Sequence, residues 1–438
     1  MPKSLIIGGG IVGLSTAYFL RKKGWDVTVL EKSDLTDNCS FGNMGYLSPS
    51  HIVPLAAPGM IEQGFFWMFD KKSPFYVRPA LNWQLIDWGL KFMRHCNQKH
   101  VDRSTRPLLD LLLFSKEIFV DWSQTTDLRF DLQQKGCIMY YQTAKKEKEE
   151  LTTARVAENN GMKVAVLDKT SAQALEPDLP PEVIGGVLYK DDAHLDPTAL
   201  MRQMPGWLEK QGVKIIRNAE VTGFHRSGRT ITGVDYQKDN AIHTESADNV
   251  VLATGSWSPQ VAKLAGEYIP LMPGKGYSMT FGGLTKTLQY PCIFLEAKVA
   301  LTPWGDRLRI GSTMEIGAIN NRIMLPRVQG IIEAVPRFMP GYMDDPAFRT
   351  LYQRITTASG GEALRDIVWF GFRPVSADGM PYIGFAPKTD NLIIATGHAM
   401  LGLSLGTGTG QLVAELANGE QPSLKMDAYK VDRWERGL

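Results

Sequence analysis

KSLIIGGGIVGLSTAYFLRKKGWDVTVLEK, residues 3–32, is the stretch that decides the fold. Leu5, Ile6 and Ile7 form the short apolar run of a buried parallel strand. Gly8, Gly10 and Gly13 follow as GxGxxG, and each has its own reason. Gly8 permits a tight turn, Gly10 lets a pyrophosphate approach the backbone, and Gly13 lets a helix pack close to the strand. Residues 14–23 have helical periodicity and stop at Gly24. A helix here aims its N-terminal N–H groups and positive dipole end at a diphosphate. Residues 26–30 alternate as a second strand, and Glu31 closes it, 18 positions after Gly13. A carboxylate there accepts hydrogen bonds from an adenosine ribose and repels the 2′-phosphate of NADP, which favours NAD or FAD. The strand before the glycines and the helix after them separate this motif from a chance turn, but it does not distinguish the two dinucleotides.

A chain of 438 residues exceeds one ordinary core, so two domains or one large α/β domain with an insertion are expected. Hydrophobic content of 44% and charged content of 21% fit a globular protein rather than a disordered one. With 48 basic and 46 acidic residues the net charge is +2, which gives no electrostatic case for nucleic acid and points to a small partner. Cys39, Cys96, Cys137 and Cys292 are scattered without a CxxC pair, and the seven histidines show no HExxH spacing. Neither a disulfide framework nor a metal site is expected, and a reducing cytoplasm fits. The N-terminus enters a strand without a signal-peptide pattern, and no run of 18 apolar residues occurs. The expectation is a cytoplasmic protein with at most peripheral contact at the inner face of the plasma membrane.

Residues 38–60, NCSFGNMGYLSPSHIVPLAAPGM, are too rich in Gly, Pro, Ser and Asn for a long helix yet apolar enough to be covered, as backbone beside a cofactor must be. Residues 63–93 are aromatic-rich, and Leu81, Leu85, Trp88 and Phe92 recur at helical spacing. They read as a helix packing into a core, with a substrate-gating or membrane-facing surface as the alternative. Residues 145–150 read as a solvated helix face, with Lys145–Glu149 and Lys146–Glu150 at i,i+4 spacing. Asp191, Asp192, His194 and Asp196 resemble metal ligands by type only; strand-end polar residues and a helix cap before Pro197 are the expected roles. Residues 221–224 and the short alternating segments after them, with turns at Ser227-Gly228 and Asp239-Asn240, read as a small β-meander, and residues 270–316 as a separate antiparallel sheet. Residues 320–348 read as helix with Pro breaks, and a Gly-rich turn is expected to open the last helix near residues 408–416. Strand-to-glycine endings at Ile7-Gly8, Ala253-Gly255 and Ala395-Gly397 converge on one edge of a doubly wound sheet.

These motifs, with SFGNMGYLSP, NVVLATGSWSP, KGYS and the closing GFRPVSADGMPYIG and NLIIATGHAMLGLSLGTGTG, resemble the D-amino acid oxidase superfamily of FAD enzymes, and within it the bacterial D-amino acid dehydrogenases. The resemblance runs from end to end, and the closing segment is its most specific part. It implies an α/β (α+β two-domain) fold: a Rossmann-like FAD-binding domain, from residues 1–62, 190–262 and 360–438, and a discontinuous substrate domain of mixed or antiparallel sheet plus helices, from residues 63–189 and 263–359. It implies that Gly8, Gly10, Ile11, Val12, Gly13, Glu31 and Lys32 hold the ADP half. Ser40, Asn43, Met44, Gly45 and Leu47 would line the pyrophosphate and flavin, and Val221 would meet the adenine. Ala253, Thr254 and Gly255 would pass along the cofactor, and Gly397, His398, Gly402, Leu403 and Ser404 would approach the flavin pyrimidine. Arg373, in GFRP, matches the arginine that binds substrate carboxylate, a role that suits a bidentate, always charged guanidinium. A structural salt bridge is its alternative. The chain departs from the usual dehydrogenase pattern at Ser50-His51, where a glycine and a tyrosine are common; His51 is therefore a candidate substrate contact, with a satisfied loop histidine as the alternative.

The implied reaction is oxidative deamination. A D-amino acid anchored on Arg373 loses its α-hydrogen as hydride to flavin N5, and the imine hydrolyses to keto acid and ammonia. The implied electron acceptor is a quinone or the respiratory chain, or O2. On the same fold, oxidation of a cyclic or N-methyl amino acid (proline, hydroxyproline, sarcosine or glycine) or of a 2-hydroxy acid is the first rival. A non-catalytic flavin-binding electron-transfer subunit is a rival of another class, which has no need of a carboxylate clamp. An NAD-dependent dehydrogenase is the weakest.

Overall fold

The opening strand, Lys3–Ile7, lies inside a six-stranded sheet of order Tyr382–Phe385, Leu392–Thr396, Asn249–Leu252, Lys3–Ile7, Asp26–Leu30, Lys214–Ile216. Its pairings are parallel except at the Tyr382–Phe385 edge. This is a computed structural model, and it describes residues 1–62, 72–73, 75–78 and 82–434. The strands with apolar runs are buried on both faces, as a helix-covered parallel sheet requires.

The first helix spans Ile11–Lys22, beginning three residues before the periodicity of 14–23 suggests, because Gly10 is its N-cap. Gly13 sits in its first turn, where an added Cβ would come within 1.9 Å of Gly8 O. The last helix, Gly402–Ala417, overturns the expected Gly-rich turn before residue 408. Its glycines are packing residues: a Cβ on Gly406 would meet Ile11 at 2.9 Å, and one on Gly410 would meet Ser15 backbone at 2.6 Å. Close approach to the first helix outweighs the low helix propensity of glycine.

A nine-stranded sheet forms the second layer, in order Trp369–Ser376, Leu271–Phe281, Arg307–Ile316, Val299–Trp304, Cys292–Phe294, Cys137–Tyr141, Gly185–Tyr189, Val164–Asp168, with Phe75–Val77 added on Arg307–Ile316. It is mixed: Cys292–Phe294 with Cys137–Tyr141 and Phe75–Val77 with Arg307–Ile316 run parallel, and the other pairs antiparallel. A cut at residue 360 puts Trp369–Ser376 with the cofactor segments, whereas this strand hydrogen-bonds along Leu271–Phe281. Likewise helix Gln98–Thr125, from the segment assigned to the substrate domain, packs on the last helix, and Thr407 Oγ1 donates to Ser115 O at 2.8 Å. Glu220–Ser227, Thr230–Lys238 and Ala241–Ser246 form the expected meander, turning at Gly228 and at Asp239-Asn240, all with positive φ.

Helix Ala144–Asn159 corrects the fully solvated reading of residues 145–150. Lys146 pairs with Glu149 at 2.6 Å, while Glu150 is buried and accepts a 2.6 Å hydrogen bond from Tyr189 Oη. Asp196 caps helix Pro197–Lys210, and Asp191 and Asp192 accept bonds from Lys163 N–H and Ser50, so the acidic cluster has separate partners. Helix Trp83–His95 buries Trp88 and Phe92 at the expected spacing; Leu81 and residues 63–71 lie outside the described residues. Helices Leu325–Phe338 and Pro346–Thr356 break at prolines as read.

Candidate flavin and substrate site

A cavity of about 1020 Å³ starts at the carboxyl ends of the six-stranded sheet and ends on the face of the nine-stranded one. Its first part is backbone-rich. Gly8, at φ +110°, turns so tightly that a Cβ would strike Ala253 O at 2.5 Å. Gly10, Ile11 and Val12 line the wall, presenting first-turn N–H groups that a helix cannot satisfy internally. Glu31 closes the second strand beside them. Its Oε2 accepts from Gly9 N–H at 2.6 Å, and its Oε1 from Ser33 N–H and Ser33 Oγ–H at 2.9 and 2.8 Å. Oε2, with one bond, keeps a lone pair for a ribose hydroxyl. Lys32 Nζ lies 3.3 Å from the Trp257 ring centroid, Val221 lines the same cavity, and burial holds the Lys32 ammonium below the usual lysine range.

The residue 38–60 loop crosses the middle of the cavity. Ser40 Oγ accepts from Ile11 N–H at 3.1 Å, tying the loop to the helix start. Gly42 and Gly311 accept this crossing because they lack side chains: Cβ atoms there would meet Trp369 at 2.0 Å and Met44 Sδ at 2.5 Å. From the other side comes the N-terminus of helix Gly402–Ala417, with Gly402, Leu403 and Ser404 on the wall and Ser404 Oγ donating to Tyr46 O at 2.7 Å. His398 beside it is buried, 3.0 Å from Thr409 Oγ1, and burial lowers its pKa to about 3, so it is neutral. Ala253, Thr254 and Gly255 complete this wall.

Four expected contacts lie behind the wall. Gly13 supports the Gly8 turn, and Gly45, at φ +82°, turns against Leu195 O. Leu47 is fully buried and pairs with Ala193, while Gly397, at φ +81°, packs on Tyr382. Their glycine or apolar character serves the turn or the core.

Arg373, on strand Trp369–Ser376, ends in the cavity. Its guanidinium crosses directly over Gly276, where a Cβ would fall 2.0 Å from Nη1, and Nη1 donates to Thr313 O. No described carboxylate pairs with it, which removes the salt-bridge alternative among the described residues. Burial lowers its pKa to about 10, so it stays charged at neutral pH. Thr313 has φ +71°, a strained value for a β-branched residue, and Lys298 and Ala399 on the same wall have φ +54° and +47°. Thr313 Oγ1 and Ser48 Oγ, also on the wall, are buried without a partner among the described residues. Strain and unpaired polar atoms thus gather where a ligand would be held.

His51 lines the cavity too, and its ring is held by a neighbour. Ser50 donates from N and Oγ to Asp192 at 2.9 and 2.6 Å, and His51 Nδ1 lies 3.2 Å from Ser50 Oγ. Burial, then Lys298, lowers the His51 pKa to about 4, and burial raises that of Asp192 to about 7. Sequence reading missed Lys298, Glu150, Gly276 and the Ser50–Asp192 link. Only the departure at Ser50-His51 gave a signal; Lys298 stands in an unremarkable LEAKVA loop.

The cavity, two-layered architecture and open helix N-termini fit a dinucleotide with a carboxylate ligand at its far end. Comparison with known proteins agrees. The D-amino acid dehydrogenase of Granulibacter bethesdensis is 29% identical over 96% of this chain and 96% of its own length. That of Vibrio cholerae is 29% identical over 98% of this chain and 99% of its own. Glycine oxidase from Geobacillus kaustophilus superimposes with a TM-score of 0.74 at 20% identity, covering 99% of each chain. L-proline dehydrogenase from P. horikoshii gives 0.72 at 20% identity, covering 100% of this chain and 98% of its own. The model of the FAD dependent oxidoreductase family (DAO) matches residues 3–416, so the chain belongs to that family and is an FAD enzyme.

Proposed function

We propose that the protein oxidises D-amino acids at Cα, giving a keto acid and ammonia after the imine hydrolyses, and passes the electrons to a quinone or the respiratory chain, with O2 as the alternative acceptor. Arg373 carries the reading: a charged guanidinium held over Gly276, directed into the cavity and without a carboxylate partner among the described residues. The relatives named D-amino acid dehydrogenase support the D configuration in this reading.

In this reading Gly8, Gly10, Ile11, Val12, Glu31 and Lys32 hold the ADP half, with Val221 against the adenine. Ser40, Asn43, Met44 and residues 253–255 flank the cofactor's middle, and His398, Gly402, Leu403 and Ser404 lie at its ring end. Bound FAD supplies the two-electron acceptor for the hydride that leaves Cα. The protein's own part is orientation and charge. Arg373 fixes the carboxylate through two parallel hydrogen bonds and so sets which C–H bond faces the cofactor. The N-terminus of helix Gly402–Ala417, on the cavity wall, would hold the ring end of the flavin, and its N–H groups would stabilise negative charge there. Neutral His398 adds no charge of its own. The apolar stretch Val53, Pro54 and Leu55, with Phe75, walls the chamber beside His51, and it favours a ring or N-alkyl substituent as a second reading.

Arg373→Ala tests the assignment. Loss of one partner of a buried charge pair costs about 2–5 kcal/mol, so kcat/KM should fall about a thousandfold while FAD stays bound. Arg373→Lys keeps the charge but not the fork and should recover part of the loss. Unchanged kcat/KM in Arg373→Ala would overturn the anchor.

A further inference from the structure

We propose that helix Trp83–His95 lays its outer face into the surface of an anionic lipid bilayer, and that the basic side chains around its C-terminal end hold it to the lipid headgroups.

The helix is apolar on two opposite sides. At about 100° per residue, Leu85, Trp88 and Phe92 fall on one side, and Trp83, Ile86, Leu90 and Met93 on the other. The first side is covered. Trp88 and Phe92 are buried, Trp88 Nε1 donates to Val375 O at 2.9 Å, and Gln84 Nε2 donates to Leu271 O at 3.0 Å. Those bonds to two sheet strands fix which way the helix faces, so the second side stays outward. There Trp83 is 74% exposed, Leu90 57%, Met93 49% and Ile86 44%. An ordinary surface helix carries polar residues on that side. Single exposed apolar residues need no explanation, but four within three turns of one face do. Tyr268 extends the patch, because it is exposed itself and its hydroxyl donates to Asp87 on the helix flank.

The charge around the helix selects the occupant. The whole chain is nearly balanced, with 48 basic and 46 acidic residues, whereas residues 82–106 hold five basic and two acidic ones. Both acids are engaged: Asp87 pairs with Lys91 and Tyr268, and Asp102 accepts from Gln98 Nε2 at 2.8 Å. Arg94 follows Met93, and Lys99 and Arg103 stand one turn apart on helix Gln98–Thr125; all three are exposed and form no ion pair among the described residues. An apolar face with a basic border fits an anionic lipid surface. It does not fit a second copy of the chain. The face is about 20 Å long and about 10 Å wide, roughly 200 Å², against about 800 Å² per partner in a stable interface, and a two-fold pairing would oppose like charges. At 13 residues the helix is too short for a hydrocarbon core of about 30 Å, so it lies along the interface, with Trp83 and Tyr268 at headgroup level. Its inner side packs in one cluster with Leu55, Met60 and Phe75, which wall the cavity. A quinone acceptor dissolved in that bilayer would be about one helix diameter, roughly 10 Å, from the wall. That last point rests on the function proposed above; the lipid contact rests on no substrate assignment.

The test uses the FAD-loaded full chain and sedimentation with vesicles of phosphatidylcholine, alone or with about one third phosphatidylglycerol. Partition into the anionic vesicles should exceed that into the neutral ones about tenfold or more. Ile86→Glu combined with Leu90→Glu should lower it about tenfold or more, while FAD content and reduction by dithionite stay those of the wild type. Arg94→Gln, Lys99→Gln and Arg103→Gln should each cost about fivefold. Brominated acyl chains should quench the tryptophan emission of the bound protein, and Trp83→Phe should remove a large part of that quenching. Equal partition into both vesicles, partition that survives the paired glutamates, or quenching unchanged in Trp83→Phe would overturn the proposal. Self-association that Leu90→Glu abolishes, without vesicle binding, would assign the face to a second copy and overturn it too. A quinone analogue carried in the vesicles separates the two claims. Anionic partition without electron transfer from any amino acid would sustain the lipid contact and sink the proposed function. Amino acid-dependent quinone reduction without partition would do the reverse.

Discussion

At the dinucleotide end the cavity wall is largely backbone. Gly8, Gly10 and the first turn of helix Ile11–Lys22 come from one stretch of chain, and they present N–H groups rather than side chains. At the substrate end the wall is side chains from distant segments: His51 from a loop, Lys298 from the turn before Val299–Trp304, and Arg373 from an edge strand. The first end is fixed by steric limits on glycine and binds a group that is the same in every turnover. The second is adjustable, since Arg373 can stay while its neighbours change. Substitutions at the two ends should therefore fail differently, the first losing cofactor and fold, the second losing rate or selectivity.

The largest effect should come from Gly13→Val, which puts a Cβ within 1.9 Å of Gly8 O. The helix must move off the strand, and we expect protein that is colourless or insoluble; a yellow, stable variant would break the steric half of the comparison. Gly276→Ala sharpens the other half. Its new methyl occupies the guanidinium's place, 2.0 Å from Arg373 Nη1, so the arginine must swing away. We expect FAD content like the wild type and kcat/KM lower by about ten- to a hundredfold, the scale of one or two lost charge-assisted hydrogen bonds. Loss of FAD with preserved turnover per bound flavin would contradict the separation of the two ends.

Smaller effects follow from Asp192, whose pKa burial raises to about 7. Above that pH its carboxylate compels Ser50 to donate, which leaves His51 Nε2 as an acceptor. As pH falls through about 7 the carboxyl gains a proton, Ser50 is released, His51 loses its fixed tautomer, and kcat/KM should change severalfold. His51 itself, at about 4, does not titrate in this range. Asp192→Asn should flatten the profile. The stability consequence has a defined sign. A folded pKa above the ordinary 3.8 means the relative stability present below about 4 is lost as pH rises through about 7. Asp192→Asn should thus raise Tm more at pH 8 than at pH 5, by about 2 °C for each kcal/mol relieved. An equal change at both values would contradict a buried, titrating carboxylate.

What could be read from the chain follows the same division. The strand, the three glycines and Glu31 are local, so their spacing carried the dinucleotide end; the meander and the Asp196 cap were local in the same way. Gly406 and Gly410 misled because glycine signals a turn by propensity, whereas here helix-to-helix contact sets its use. Glu150 misled because a charge run does not reveal which of its members turns toward Tyr189, 39 residues away. The pairing of strand Trp369–Ser376 with Leu271–Phe281 had no local signal, because the two are remote in sequence. Arg373 was found through a motif, while Lys298 and the Ser50–Asp192 link, created only by folding, had none.

Anaerobic reduction of the FAD-loaded protein tests the central claim most directly, with D-amino acids, their L enantiomers, cyclic and N-methyl amino acids added in turn and a quinone analogue added last. The account predicts rapid bleaching by D-amino acids, none by the enantiomers, and recovery of colour on adding the quinone. A flavin that dithionite reduces but no α-amino acid bleaches would contradict it.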